Sequence, residues 1–161
     1  SLMDIVYNRA RCTILILDNR TTAMTGRQEH PGTGRNIRGE QAPEVDLPAL
    51  CRALGVEDVR VTSPWDLDDI EKQIRAALDY QGPSVVINQG PCALLDRTPV
   101  LPRQVDEEIC KVCGLCVKTG CPAISQSDHL VTIDPLMCRS CGVCAEICPF
   151  DAITTVELSK S

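Results

Sequence analysis

Aromatic side chains are nearly missing from this sequence: one Trp, two Tyr and one Phe in 161 residues. That excludes a surface that holds single-stranded nucleic acid by stacking bases, which needs several ring faces in a row. Positive charge is not in excess either. A net charge of -6 and a pI near 4.9 leave no basic footprint for a phosphate backbone. No apolar run approaches the roughly 20 residues that a membrane helix requires. The opening stretch SLMDIVYNRA lacks the basic, apolar, small-residue order of a signal peptide. Neither nucleic acid nor a membrane is therefore expected as a partner. The familiar nucleotide loops are incomplete as well. Gly32-Thr33-Gly34 begins like a dinucleotide loop, but the next glycine is Gly39, and no lysine follows as in a phosphate-binding loop.

What the chain has in plenty is cysteine, eleven in all, on a background that is 43% hydrophobic and 24% charged and so reads as soluble and globular. A secreted disulfide framework scatters its cysteines, whereas eight of these lie in two tight groups. The other three, Cys12, Cys51 and Cys92, stand singly among apolar neighbours and are expected to be small buried hydrophobes. A reducing, cytoplasmic setting fits this usage. The sequon Asn19-Arg20-Thr21 is then a coincidence.

The first 95 residues alternate apolar and amphipathic stretches. CTILIL, Cys12 to Leu17, reads as a strand buried on both faces. Asp46 to Leu54 reads as a short helix with Asp46 as N-cap and Gly55 as its stop. Val59 to Thr62 is a strand, and Ser84 to Asn88 (SVVIN) another. Between them, from Asp66 to Tyr80, Leu67, Ile70, Ile74 and Leu78 recur at spacings of three and four, the mark of one helix face. Trp65, just before that helix, reads as a packing residue. Strand, helix and strand in alternation imply a parallel α/β sheet. The prolines of Asp96 to Gln104 mark a linker. Beyond it lies an internal repeat with an offset of 28 residues: Val105-Asp106, Cys110, Cys113-Gly114 and Cys116 return as Ile133-Asp134, Cys138, Cys141-Gly142 and Cys144.

Cys110, Cys113 and Cys116 are followed by Cys121-Pro122; Cys138, Cys141 and Cys144 are followed by Cys148-Pro149. Three thiolates at this spacing can wrap three corners of a cubane on one short loop, and in two-cluster ferredoxins the fourth corner comes from the other group. The expected ligand sets are Cys110, Cys113, Cys116 and Cys148 for one [4Fe-4S] cluster, and Cys138, Cys141, Cys144 and Cys121 for the second. The competing reading is structural zinc on paired C-x2-C motifs. Zinc ribbons, however, use two ligands per knuckle and a long gap. From Val105 to about Val156 the chain resembles the bacterial dicluster ferredoxins, departing from them by one extra residue before Cys121.

Residues 18 to 34 follow the first strand directly, where open parallel sheets bind ligands. Asn19, Thr21, Thr22, Thr25 and Gly26 offer oxygen donors suited to magnesium and a diphosphate, or simply form a polar loop. Here ILDNRTTAMTGRQEHPGTG, with the preceding YNRA, resembles the thiamine-diphosphate domain of the alpha subunit of indolepyruvate–ferredoxin oxidoreductase. VINQGPCALL and VDEEICKVCGLCVKTGCPAI resemble the same subunit further on, so the likeness covers nearly the whole chain in order.

The resemblance implies a fold and a set of ligands. The fold is α/β, part of a thiamine-diphosphate-binding parallel-sheet domain (residues 1–95), then a linker (96–104) and a small α+β dicluster ferredoxin-like domain (105–161). Asn19 would give its side-chain oxygen, and Thr21 its carbonyl, to Mg2+ bound with thiamine diphosphate. Met24 and Thr25 would lie near the thiazolium ring, and His30 either faces the substrate or caps the loop. The implied activity is oxidative decarboxylation of aryl 2-oxoacids to acyl-CoA, with electrons leaving through two [4Fe-4S] clusters to ferredoxin.

The family's Gly-Asp motif and the glutamate that activates thiamine are not in these residues. The chain is therefore expected to be a C-terminal part of that subunit, or one piece of a split version. It would work with the remainder of the alpha subunit or a split partner, and with a beta subunit. The alternative is a ferredoxin-type electron carrier whose α/β module docks a partner and binds no thiamine.

Overall fold

The computed structural model describes residues 1–92, 95 and 101–156. The chain divides into two compact units, Ser1–Asp96 and Arg97–Ser161. Residues 96–100 of the expected linker lie outside the described residues, as do Ala93 and Leu94. Arg103 and Gln104, also read as linker, instead begin a strand.

In the first unit the order is α1 (Leu2–Tyr7), β1 (Cys12–Asp18), α2 (Leu47–Ala53), β2 (Asp58–Thr62), α3 (Leu67–Asp79) and β3 (Pro83–Gln89). The three strands form a parallel sheet in the order β1-β3-β2. The last strand in sequence takes the centre, which is why SVVIN is so apolar: Val85, Val86 and Ile87 are essentially inaccessible. Val85 and Ile87 pack with Cys51 and Val56, flanked by Val6, Ile14 and Ile16, so α1 and α2 cover that face. α2 starts as its sequence requires, with the Asp46 carboxylate accepting the Ala49 N–H at 2.8 Å. α3 starts in the same way on Asp66, whose carboxylate accepts the Asp69 N–H at 2.9 Å.

Three expectations need correction. β1 is not buried on both faces. It is an edge strand, and beyond Thr13, which donates to the Ala77 carbonyl of α3 at 3.0 Å, its α3-side face is open: Leu15 is 52% and Leu17 75% exposed. Leu78 does not join the buried face of α3; Ala77 does, at 1% exposure against 58% for Leu78. Of the three single cysteines only Cys51 is buried, while Cys12, at the start of the edge strand, and Cys92, past the end of β3, are half-buried.

The second unit is built from short pieces: β4 (Arg103–Val105), β5 (Ile124–Gln126), β6 (Val131–Ile133), α4 (Val143–Glu146) and β7 (Ile153–Thr155). β4 pairs with β7 and β5 with β6, both antiparallel. The ladders join the end of one repeat to the start of the other or span its turn, so the cysteine loops hang between them. The interior is Ile124, Val131 and Ile153 together with Cys116 and Cys144. Among the described residues no helix is long and apolar enough to cross a membrane.

Candidate functional site

The carboxyl end of β1 presents Asp18 and Asn19 beside Asn88 and Gln89 of β3. Asp18 is 7% exposed. Its Oδ1 accepts the Arg20 N–H at 3.0 Å and its Oδ2 accepts from Gln89 Nε2 at 2.8 Å, with the Arg20 guanidinium 3.4 Å away. Arg20 in turn bonds Glu44 at 2.6 Å. Burial pushes the Asp18 carboxyl up, but the Arg20 N–H, Gln89 and the guanidinium together outweigh it and hold the group below the usual carboxylate range. Asp18 is therefore an ionised, fully engaged anchor for the loop that follows.

Asn19 is exposed next to it. Its Oδ1 accepts the Thr21 N–H at 3.2 Å, an Asx turn, and its carbonyl accepts the Cys92 N–H at 2.9 Å. The carboxamide oxygen keeps a second lone pair for a ligand. A groove of about 310 Å³ opens here, bordered by Leu17, Asp18, Asn19, Pro64, Trp65, Asn88, Gly90, Pro91 and Cys92. A Cβ on Gly90 would stand 2.4 Å from Pro64 Cγ, so only glycine lets that wall close. The Asn88 Oδ1 is fully buried with no hydrogen-bond partner, as is Thr62 Oγ1, its neighbour in register.

Of the residues expected to hold thiamine diphosphate and Mg2+, the structure brings Asn19 and Thr21 together at the strand end. Met24, 98% exposed, and Thr25, whose hydroxyl bonds the Gln28 carboxamide, project from the loop instead. His30 takes the capping role: its Nδ1 accepts the Gly32 N–H at 3.1 Å at the head of the turn Pro31–Thr33. The groove's neutral oxygens suit a diphosphate-bound cation, and the orphaned Asn88 oxygen marks an unmet polar contact. Its one bordering carboxylate, Asp18, is already engaged. Sequence reasoning missed Asp18, Asn88, Trp65 and Cys92. The position of each just past a strand was the available signal. Trp65, read as packing, stands 41% exposed on the groove rim.

In the second unit Cys110, Cys113, Cys116 and Cys148 line one cavity, with Val131 and Ile153. The trio of one repeat and the remote cysteine of the other thus share a space. Cys144 lies within electrostatic reach of Cys141, Cys138 and Cys121, the opposite combination. Burial pushes the Cys144 thiol up, and these neighbours push it further; Cys116 is raised by burial and by Cys110 and Cys113 in the same way. So many thiolates cannot ionise together without bound positive charge.

Both cysteine loops repeat one backbone conformation. Val112 (φ 50) and Ser140 (φ 52) are left-handed, as are Gly114 (φ 74) and Gly142 (φ 87). Such turns aim successive N–H groups into a concavity that suits anions and iron–sulfur centres. For β-branched Val112 the conformation costs about 1–3 kcal/mol, so its retention points to function. The Arg103 and Ser140 N–H groups each donate to Cys138 Sγ at 3.4 Å. Among the described residues no three His, Cys, Asp or Glu side chains converge as a single-ion site requires. The thiols ring a space instead, and the donor set fits iron–sulfur clusters.

Comparison with known proteins agrees with both halves. Residues 1–87 match the family model "Thiamine pyrophosphate enzyme, C-terminal TPP binding domain", and residues 131–154 match "4Fe-4S binding domain". The chain is 44% identical over 154 residues to indolepyruvate oxidoreductase subunit IorA of Methanothermobacter marburgensis, covering 94% of this chain and 25% of that protein. The Pyrococcus horikoshii protein of the same name is 38% identical over 168 residues, covering 98% and 26%. A dihydromethanopterin reductase (acceptor) of Methanosarcina mazei is 30% identical over 134 residues, covering 72% and 53%. The chain thus spans about a quarter of the length of the IorA relatives it matches. With its parallel sheet in the first match and a ferredoxin-like unit around the second, the chain belongs to the thiamine pyrophosphate enzymes, alongside the IorA subunits of indolepyruvate oxidoreductase.

Proposed function

We propose that this chain is part of a cytoplasmic oxidoreductase that decarboxylates aryl 2-oxoacids of the indolepyruvate kind to acyl-CoA and passes the electrons through two [4Fe-4S] clusters to ferredoxin. The observation that carries the proposal is the pairing, in one chain, of a strand-end groove at Asn19 with a cavity lined by Cys110, Cys113, Cys116 and Cys148 and a second group of thiols around Cys144. Thiamine diphosphate, when bound, would supply an electron sink for the 2-oxoacid, and iron–sulfur clusters a one-electron acceptor. The chain's own residues position these groups. The Asn19 carboxamide oxygen and the Thr21 carbonyl offer Mg2+ two neutral donors, oriented by the Asx turn between them. Asp18 holds Arg20 and the loop in place without ligating. Trp65 and Leu17 give the groove an apolar wall. Cys110, Cys113, Cys116 and Cys148 hold one cluster; Cys138, Cys141, Cys144 and Cys121 hold the other.

A cation on a diphosphate favours at least one carboxylate among its ligands. With Asp18 engaged, that carboxylate is expected from the remainder of the subunit or a split partner, and a beta subunit completes the assembly. The test is Asn19→Ala in the complete enzyme. We expect weaker thiamine diphosphate and Mg2+ binding by calorimetry, with the visible cluster absorbance unchanged. Unchanged cofactor affinity would count against the site, and a complete enzyme that binds no thiamine diphosphate at all would leave the electron-carrier reading in its place.

A further inference from the structure

We propose that Arg103 makes the two clusters electrically unequal, setting the one at Cys138, Cys141 and Cys144 at the higher potential so that electrons settle there. The inference rests on the two-cluster reading above. Arg103 opens β4, and its backbone N–H donates to Cys138 Sγ at 3.4 Å. Its guanidinium is held by one hydrogen bond, Nη1 donating to Thr155 Oγ1 of β7 at 2.8 Å, and it lies against Gly142, where an added Cβ would stand 3.4 Å from Nη2. Nε is fully buried and has no hydrogen-bond partner. A half-buried cation is therefore fixed along the second cysteine loop, with a donor left over.

The internal repeat shows what stands in its place at the other loop. At the offset of 28 residues, Arg103 corresponds to Val131, which is 2% exposed and lines the cavity of Cys110, Cys113, Cys116 and Cys148. Two other charges near the loops are matched, Lys111 by Arg139 and Asp106 by Asp134, while Asp151 stands against Ala123. Lys118 against Glu146 opposes the asymmetry, and Glu107 and Glu108 against Pro135 and Leu136 reinforce it. Apart from half-buried Asp106, whose counterpart Asp134 carries the same charge, these charged side chains are exposed and screened by water, whereas Arg103 acts through protein.

Reduction adds one negative charge to a cluster, and a fixed cation beside it stabilises that state, which raises the potential. One electron then passes from the Val131-side cluster, which is oxidised, to the Arg103-side cluster, which is reduced, and no proton need move. The second cysteine loop becomes the place from which electrons leave.

The test is a redox titration followed by EPR on the chain with its clusters incorporated, comparing the natural sequence with Arg103→Gln, Arg103→Lys and Thr155→Val at full iron content. We expect Arg103→Gln to lower one midpoint by at least a tenfold change in the oxidised-to-reduced ratio, about 59 mV for one electron. The signal that moves is the one altered by Cys141→Ser, and the other midpoint stays. Arg103→Lys should hold the natural value more closely, and Thr155→Val should move the same midpoint by less. Unmoved midpoints, an equal fall of both, movement of the other cluster, or a fall as large in Lys as in Gln each overturn the proposal. A natural chain that takes up fewer than two clusters overturns the two-cluster reading instead. Should Arg103→Gln not load, the Lys and Thr155→Val variants decide between these outcomes.

Discussion

In the N-terminal unit the largest fully buried side chains are Val85, Val86 and Ile87, three neighbours on the central strand. In the C-terminal unit the buried cluster counts Cys116 and Cys144 among its five members, beside Ile124, Val131 and Ile153. The first unit draws its cohesion from a sheet and the apolar faces that cover it. The second has strands of only three residues, and its would-be ligands occupy positions that a larger protein fills with leucine or phenylalanine. Where a core is this small, a metal centre acts as its missing bulk, and folding and cluster binding become one equilibrium.

The sharpest way to break this comparison is to strip the iron. Chelation under anaerobic conditions is expected to abolish amide hydrogen-exchange protection between Arg103 and Val156 and to leave that of β1, β2 and β3 intact. Retained protection in the C-terminal unit would show that its apolar residues suffice. Next in size is Cys148→Ser. It should destroy the signal of the cluster held by Cys110, Cys113 and Cys116 while sparing that of its sequence neighbours; EPR or Mössbauer spectra confined to the opposite loss would refute the crossed assignment.

Ile87→Ala is the converse experiment. It should destabilise the N-terminal unit by about 2–5 kcal/mol in a denaturant titration, with the cluster absorbance unchanged at low denaturant. The smallest effect concerns Asp18. Its folded-state pKa is depressed, so its contribution is present above the unfolded value near about 3.9 and is lost as pH falls through the lower folded value. Asp18→Asn should therefore lower the stability of the N-terminal unit at pH 7, and the gap from the natural chain should close below about pH 4. A gap that persists at lower pH would mean that the carboxylate's charge contributes nothing.

Most of the fold was legible because local signals and tertiary packing agree. Asp46 and Asp66 announce their helices, and the run SVVIN could only be a strand covered on both sides. CTILIL misled because an equally apolar run serves an edge strand: composition reports how apolar a strand is, not which neighbours cover it. Leu78 failed for a related reason, since the buried stripe of α3 drifts onto Ala77, whose small side chain allows close approach to the sheet. The spacing of the cysteines grouped Cys110, Cys113 and Cys116 with Cys148, and these four do line one cavity. The groove was not legible. Leu17, Trp65 and Asn88 come from separate stretches and meet only once the strands are in register. Arg103 was hidden within a stretch read as linker by its prolines, and a strand of three residues carries too little pattern to reveal itself.

The sharing of one cavity by Cys148 and the Cys110 trio also orders events in time. On a ribosome the three described strands of the N-terminal unit are all present once Gln89 has emerged, and domains generally fold as they appear. On the proposed ligation the first cysteine loop follows early but cannot close its shell until Cys148 arrives, and the second cannot begin until Cys138 does. Both proposed clusters would therefore wait until Cys138 to Cys148 have emerged. Until then several unprotected thiols would face the cell, so a delivery system or a chaperone would have a defined interval in which to act, and truncation before Cys148 would leave the cavity of the Cys110 trio without its fourth thiol.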